Sequence, residues 1–213
     1  DQAIVTYQEA IRIQEALLES APDNASYKSS VANVYASLGH VYMAIGNYER
    51  AVAANEASLK LTKELHQSYA DNTTYQANLA KAYTRIGEVN RLRQDYDQAI
   101  AAHETSLKLS QELQDSGPAH EYRLASAYYN LGIAHSNRRD YENAMIALQR
   151  SRDKREALLK LYPGNADYRN LLANVYGSIG TAHEREGNYD EAISAHKRSQ
   201  ELKEELLESD PEN

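Results

Sequence analysis

The chain has 213 residues, no cysteine and a formal net charge of −8, which excludes disulfides, thiolate catalysis and cysteine-based zinc sites. Its lysines and arginines are scattered, so we expect no nucleic-acid partner. No apolar run approaches the roughly 18 residues of a membrane-spanning helix, and the N-terminus lacks a signal-peptide pattern. We therefore expect a soluble chain without membrane insertion, with the cytoplasm slightly favoured over an extracellular location.

The first 24 residues predict a single helix without a partner. Residues 1–4 read DQAI, as do residues 97–100, which begin a helix farther along the chain. Residues 190–213 also align with residues 1–24 with 10 identities. Residues 1–24 are therefore predicted to form an unpaired helix of the type that comes second in a hairpin.

The rest of the chain repeats one pattern four times. The segment ASLGHVYMAIGNYERAV (36–52) returns in the same register at 84–100, 129–145 and 177–193. Apolar or small residues recur every three or four positions, which is the period of one helix face. The anchoring glycines are spaced 48, 45 and 48 residues apart and are Gly39, Gly87, Gly132 and Gly180.

This pattern predicts an all-α fold of nine helices, arranged as antiparallel hairpins in a single array over residues 1–213. The four predicted hairpins are 25–72, 73–117, 118–165 and 166–213. The segments PDN (22–24), ADN (70–72) and PGN (163–165) place Asn or Asp where a helix N-cap belongs. The turns within the hairpins are predicted at Gly46–Asn47, Gln94–Asp95, Arg139–Asp140 and Gly187–Asn188.

The repeated unit resembles the tetratricopeptide repeat. Its first helix carries Tyr35, Leu38, Gly39 and Tyr42, and its second helix carries Ala51, in the spacing of that family. The resemblance covers the whole chain and implies an α-α superhelix. The units of 45 to 48 residues exceed the usual 34, so the match is to a long-unit variant. Two later columns, aromatic in the family, are largely polar here: Tyr42, Asn90, His135 and His183; Tyr7, Asn55, His103, Leu148 and His196.

The histidines are the candidates for catalysis or metal binding. His183 and His196 fall in the two polar columns of one hairpin, and Glu184 or Glu186 could complete a metal site with them. The alternative, which we favour, is two interior histidines hydrogen-bonded to neighbours. No HExxH motif, phosphate-binding glycine loop or GxSxG elbow is present. We therefore expect no metal, no cofactor and no enzymatic activity.

Two segments match the pattern for asparagine-linked glycosylation. They are Asn24-Ala-Ser and Asn72-Thr-Thr, one repeat apart. Asparagine also caps helix N-termini, with its side-chain oxygen accepting from backbone N–H groups. The fourth hairpin reads Asn165-Ala-Asp, which keeps the cap and loses the glycosylation pattern. We favour capping.

The family resemblance implies that partners bind a concave face formed by the first helix of each hairpin. Positions spaced 0, +3, +7 and +10 share one side of such a helix, opposite the Tyr-Leu-Gly stripe. A mixed polar and apolar face suits an extended or helical peptide with an apolar anchor and an acidic group. The predicted face consists of Asn33, Ala36, His40 and Met43; Lys81, Thr84, Glu88 and Arg91; Ser126, Tyr129, Ile133 and Ser136; and Asn174, Gly177, Thr181 and Glu184.

These features favour a non-catalytic protein–protein interaction scaffold that binds a peptide or partner protein. A second hypothesis is self-assembly into an end-to-end oligomer or filament, because the front helix is markedly apolar and seeks a partner. A third is that the array is a regulatory segment of a larger signalling enzyme. The first hypothesis is preferred.

Overall fold

The computed structural model describes residues 2–113 and 117–209, and this part of the chain is all α-helical. The prediction of an all-α fold built from nine helices is confirmed for the described residues. The helices are α1 (Gln2–Ser20), α2 (Ala25–Ala44), α3 (Tyr48–Ser68), α4 (Thr73–Leu92), α5 (Tyr96–Glu112), α6 (Pro118–Asn137), α7 (Tyr141–Leu161), α8 (Ala166–Glu186) and α9 (Tyr189–Ser209).

The helices fall into two compact units. Unit 1 spans Asp1–Gln114 and contains α1 to α5, and unit 2 spans Asp115–Asn213 and contains α6 to α9. In unit 1, α2 packs on α3 and α4 on α5, while α1 contacts α2 and α3 contacts α4. In unit 2, α6 packs on α7 and α8 on α9, and α7 contacts α8. The second and third hairpins were predicted to meet between residues 117 and 118, and residues 114–116, just before that boundary, lie outside the described residues.

Three asparagines cap the first helices of hairpins. The Asn24 side-chain oxygen accepts from Ser26 N at 2.9 Å and Tyr27 N at 3.1 Å. Asn72 caps α4 in the same way, and Asn165 accepts from Tyr168 N at 2.9 Å. Each cap satisfies backbone donors that the helix leaves free, worth about 1 kcal/mol. Capping by Asn24 and Asn72 is thus confirmed, and glycosylation of either stays a prediction.

The turn inside each hairpin needs one residue in the left-handed conformation. Gly46 and Gly187 supply it with φ of 75° and 93°, whereas Gln94 and Arg139 adopt φ of 66° and 67° without being glycine. The hydrogen bonds are the same: Gln94 N donates to Arg91 O at 3.0 Å, as Gly46 N does to Met43 O. In two of the four turns, therefore, a residue other than glycine adopts the left-handed conformation despite the steric cost of its side chain.

Replacing Gln94 with glycine should raise the free energy of unfolding by about 0.5 to 1 kcal/mol, because the left-handed conformation costs other residues roughly 1 kcal/mol. Chemical denaturation followed by circular dichroism measures this change. As a control, Arg93→Gly should be destabilising, since Arg93 has a right-handed conformation with φ of −77°. A Q94G variant less stable than the wild type would contradict this explanation of the turn.

The glycine column lets the two helices of each hairpin approach closely. A Cβ added to Gly87 would lie 2.4 Å from Cε1 of His103, and one added to Gly39 would lie 2.6 Å from Nδ2 of Asn55. Gly132 faces Leu148 and Gly180 faces His196 in the same manner. The second polar column of the sequence therefore packs on the glycine column.

A serine column in the second helices, which the sequence analysis did not single out, links the two helices in three of the hairpins. The hydroxyl of Ser106 donates to Ala80 O at 2.8 Å, and that of Ser199 donates to Ala173 O at 2.7 Å. Ser151 makes the same bond to Ala125 O at 2.8 Å. The column could have been found from the sequence, because serine recurs at the repeat spacing. Its members, all buried, are Ser58, Ser106, Ser151 and Ser199.

Candidate functional site

The predicted face of α2 is only partly open. Asn33 and His40 are exposed, whereas Ala36 and Met43 are buried. Met43 belongs to the hydrophobic core of unit 1, together with Leu38 and Tyr42. The side chains of Ala36 and Met43 therefore contribute to packing at this position in the fold.

The predicted face of α4 is charged, and one of its side chains, Thr84, is engaged in contacts within the protein. The hydroxyl of Thr84 lies 2.8 Å from Ser106 Oγ and donates to Ala80 O at 3.1 Å. Lys81 and Glu88 are exposed, and Arg91 is half-buried. The carboxylate of Glu88 thus lies between the two cations of this face, Lys81 and Arg91, in the order of the helix.

In unit 2 the predicted face forms a groove of about 290 Å³ between α6 and α8, with α9 behind it. We call it the unit 2 groove. Six of the eight positions predicted on these two helices line it, and Ser126 and Glu184 do not. The lining residues are Tyr129, Ile133, Ser136, Asn137, Ala173, Asn174, Gly177, Ser178, Thr181, Arg185, Ser199 and Lys203.

Half of the lining was not predicted from the sequence. Asn137 and Arg185 are equivalent positions at the ends of α6 and α8, one residue beyond the spacing used for prediction. Ser199 and Lys203 come from the second helix of the hairpin, which the first-helix pattern does not include. Asn137 and Arg185 could have been predicted, because they occupy equivalent positions in two repeats. Ser199 and Lys203 could not be predicted from a pattern that covers only the first helices.

Tyr129 forms a fixed wall of the unit 2 groove. The hydroxyl of Ser178 donates to Tyr129 Oη at 3.3 Å, and the Arg155 guanidinium lies over the ring at 5.0 Å from its centroid. Arg155 also donates through Nη1 to Leu171 O at 2.5 Å. Only 4% of Arg155 is exposed, and this burial lowers the pKa of its guanidinium. Contacts from two helices therefore hold the ring in place.

The floor of the groove is open because Gly177 has no side chain. A Cβ added there would meet only Ser199 Oγ, at 3.5 Å, which is ordinary van der Waals contact. Equivalent positions carry Ala36, Thr84 and Tyr129. A larger side chain at 177 would therefore extend into the groove.

The groove is positively charged although the chain is acidic. Among the described residues, its lining includes Arg185 and Lys203 and no carboxylate. Arg185 Nη1 lies 3.5 Å from Asn137 Oδ1. Glu184, predicted on the binding face, instead has a carboxylate oxygen 3.8 Å from His196 Nε2.

The histidines of the last hairpin are not the interior, hydrogen-bonded pair that we favoured, because nearly half of the His196 side chain is exposed. His183 Nδ1 is buried without a hydrogen-bond partner, and the described residues contain no group of three potential ligands positioned to hold a metal ion. The metal site stays a prediction that we do not favour.

A second concavity of about 600 Å³ lies among α7, α8 and α9. It carries both signs of charge, with Arg152 and Arg198 beside Asp190 and Glu191. On its wall, Tyr176 donates to Glu156 Oε1 at 2.5 Å, and burial followed by this bond raises the pKa of Tyr176 to about 12. The sequence analysis assigned no role to this surface.

Sequence models of the tetratricopeptide repeat family match residues 32–64, 78–157 and 175–208, together more than half of the chain. The chain belongs to the tetratricopeptide repeat family, as predicted. This membership supports a role as a protein-interaction scaffold, in a family whose members are typically non-catalytic. No curated protein sequence matches the chain.

Solved structures share the fold at low sequence identity. BtubC from P. vanneervenii superposes with a TM-score of 0.65 at 16% identity, covering 96% of this chain and 91% of that one. MamA gives 0.59 at 24% identity, with 95% and 91% covered. The apo form of RapI gives 0.72 at 16% identity, with 95% of this chain but only 65% of RapI covered. These similarities establish the helical repeat fold alone.

Within the described residues, no helix combines the length and the apolar character needed to cross a lipid bilayer.

Proposed function

We propose that the chain is a non-catalytic scaffold that binds a peptide or a segment of a partner protein in the unit 2 groove. The observation that carries this proposal is the preformed groove itself, with an apolar wall at Tyr129 and Ile133 and polar groups at Asn174 and Thr181. Peptide sites combine apolar anchoring with a few fixed polar groups in this way.

The faces of the first two hairpins support the choice of unit 2. Ala36 is buried on α2, and the Thr84 hydroxyl of α4 donates to Ala80 O in its own helix and contacts Ser106 of α5. In unit 2 the equivalent positions hold Tyr129, which has a large side chain, and Gly177, which has none. This contrast leaves space beside a rigid aromatic ring.

The length of the groove limits what it can hold. Along α8 the lining runs from Ala173 to Arg185, about 18 Å at roughly 1.5 Å per residue. An extended peptide advances about 3.3 Å per residue, so about five or six residues fill this length. The occupant is therefore a short linear segment rather than a folded surface.

Selection from a random 12-residue peptide library on the immobilised chain, followed by titration of a synthetic selected peptide, tests the proposal. Gly177→Met should weaken binding at least about ten-fold, because the new side chain extends into the groove. Gly177→Ala is the matched control and should bind as the wild type does, since its Cβ meets Ser199 Oγ at an ordinary distance. Equal binding by G177M, or no selected peptide at all, would refute this placement.

Self-association is the second candidate, and exposed apolar side chains favour it. On α1 these are Val5 and Ile13, and on α9 they are Tyr189, Ile193 and Leu207. Exposed apolar faces of repeat arrays associate unless polar residues cover them. Sedimentation over a concentration series distinguishes the two candidates, because a chain that stays monomeric has no self-assembly role. A regulatory role within a larger signalling enzyme stays a prediction.

A further inference from the structure

We propose that the unit 2 groove recognises an acidic linear segment, with two side-chain carboxylates bound near Arg185 and Lys203. This inference rests on the proposed function and adds the chemical class of the partner. Charge complementarity carries it, because two cations line a groove in which no described lining residue is acidic, on a chain with a net charge of −8.

A change in one column of the second helices supports a cationic role for this unit. Equivalent positions hold Thr62 and Ser110 in unit 1, and Arg155 and Lys203 in unit 2. The hydroxyls of Thr62 and Ser110 are satisfied by donating to carbonyls within their own helices. Packing at this column therefore does not require a cation, and two successive hairpins of unit 2 carry one.

Arg155 adds positive potential behind the groove wall. It is buried, its guanidinium contacts the Tyr129 ring and Leu171 O, and within the described part of the chain it forms no ion pair. A buried cation without a counter-ion is costly, and a nearby anionic ligand offsets that cost. The ring that Arg155 supports is the wall against which the ligand would lie.

The acidic neighbours of Lys203 are engaged elsewhere. Glu201 accepts from Arg198 at 2.9 Å, Glu204 accepts from Gln200 at 2.7 Å, and Glu205 lies 3.3 Å from Arg169. No described carboxylate pairs with Lys203, which is exposed at the edge of the groove. Its ammonium group is thus available to a ligand.

The positions of the two cations set the spacing of the carboxylates. Ser199 bonds Ala173 O, which fixes the register of α9 on α8 and places Lys203 one turn beyond Ala173. Arg185 lies twelve residues from Ala173 in the other direction, so the two cations are about 24 Å apart along the groove at roughly 1.5 Å per residue. An extended segment, at about 3.3 Å per residue, spans this distance in about seven residues.

The test uses the full chain and the same random 12-residue library. Selected sequences should carry two Asp or Glu residues about seven positions apart, the number of extended residues that spans about 24 Å. The synthetic peptide is amidated at its C-terminus, so that only side-chain carboxylates contribute. Arg185→Gln with Lys203→Gln should raise its Kd at least about ten-fold in an anisotropy titration. Changing both acidic residues of the peptide to amides should do the same.

The control removes two cations of unit 2 that lie outside the groove lining. Lys160→Gln with Lys197→Gln lowers the charge equally and should leave the Kd unchanged. Selected peptides without acidic residues whose binding G177M abolishes would overturn the acidic specificity and leave the proposed function intact. A Kd unaffected by R185Q/K203Q would also overturn it. Failure to select any peptide would overturn both proposals.

Discussion

Replacing Gly87 with alanine should lower the free energy of unfolding by about 2 to 3 kcal/mol, near the upper end of overpacking effects. The new Cβ would lie 2.4 Å from Cε1 of His103, which is closer than two non-bonded carbon atoms approach each other in proteins. Because His103 is only 2% exposed, its ring has no open space to move into. Chemical denaturation of wild type and variant, followed by circular dichroism, measures the loss.

Two other glycines provide matched controls. Gly180→Ala makes a similar contact, 2.7 Å from Cε1 of His196, but nearly half of that side chain is exposed and the ring can move aside. We expect a smaller loss there. Gly177→Ala should instead gain about 0.5 to 1 kcal/mol from the helix propensity of alanine. Truncating the ring, as in G87A/H103A, should restore part of the lost stability, and a G87A variant as stable as G180A would contradict this explanation.

Lowering the pH from 6.5 to 4 should destabilise the protein through His103, by about 3 kcal/mol at roughly 1.36 kcal/mol per unit. Burial, and then the nearby charge of Arg91, lowers the pKa of His103 to about 4 from 6.5. Below pH 6.5 the unfolded chain binds a proton at this ring while the folded chain does not. The stability from neutral His103 is therefore complete above pH 6.5 and is lost between 6.5 and 4.

The His103→Asn variant separates this effect from the titration of carboxylates. Asn55 occupies the same column in the preceding hairpin, so asparagine is compatible with the packing there. The stability of H103N should change less than that of the wild type between pH 6.5 and 4. Parallel pH profiles for wild type and H103N would show that His103 is not responsible.

The sequence was sufficient to predict the helices because their boundaries depend on local chemistry. The side-chain oxygens of Asn24, Asn72 and Asn165 accept from backbone N–H groups at the helix starts where caps were predicted. The turn at Gln94–Asp95 was found from repeat spacing alone, although glutamine has no preference for the left-handed conformation. This turn was predictable because the segment repeats along the chain, and its residue types alone would not have indicated it.

The candidate site was less predictable, because an open surface depends on side-chain sizes on several helices. Helical spacing placed Met43 and Tyr129 on equivalent faces, yet Met43 packs into a core and Tyr129 lines a groove. The partners that decide this come from neighbouring helices, as Arg155 does for Tyr129. A first-helix pattern contains no information about Lys203, which reaches the groove from α9.

The most direct test of whether the unit 2 groove is the binding site is an NMR titration. The chemical shifts of the backbone amides are followed in the isotope-labelled full chain as a selected peptide is added. Binding in the unit 2 groove predicts the largest changes at Tyr129 to Ser136 and at Asn174 to Thr181. Little change is expected around Arg152 and Ser194, which line the other concavity of the same unit. Changes concentrated around Arg152 and Ser194, or in residues 2–113, would contradict the account.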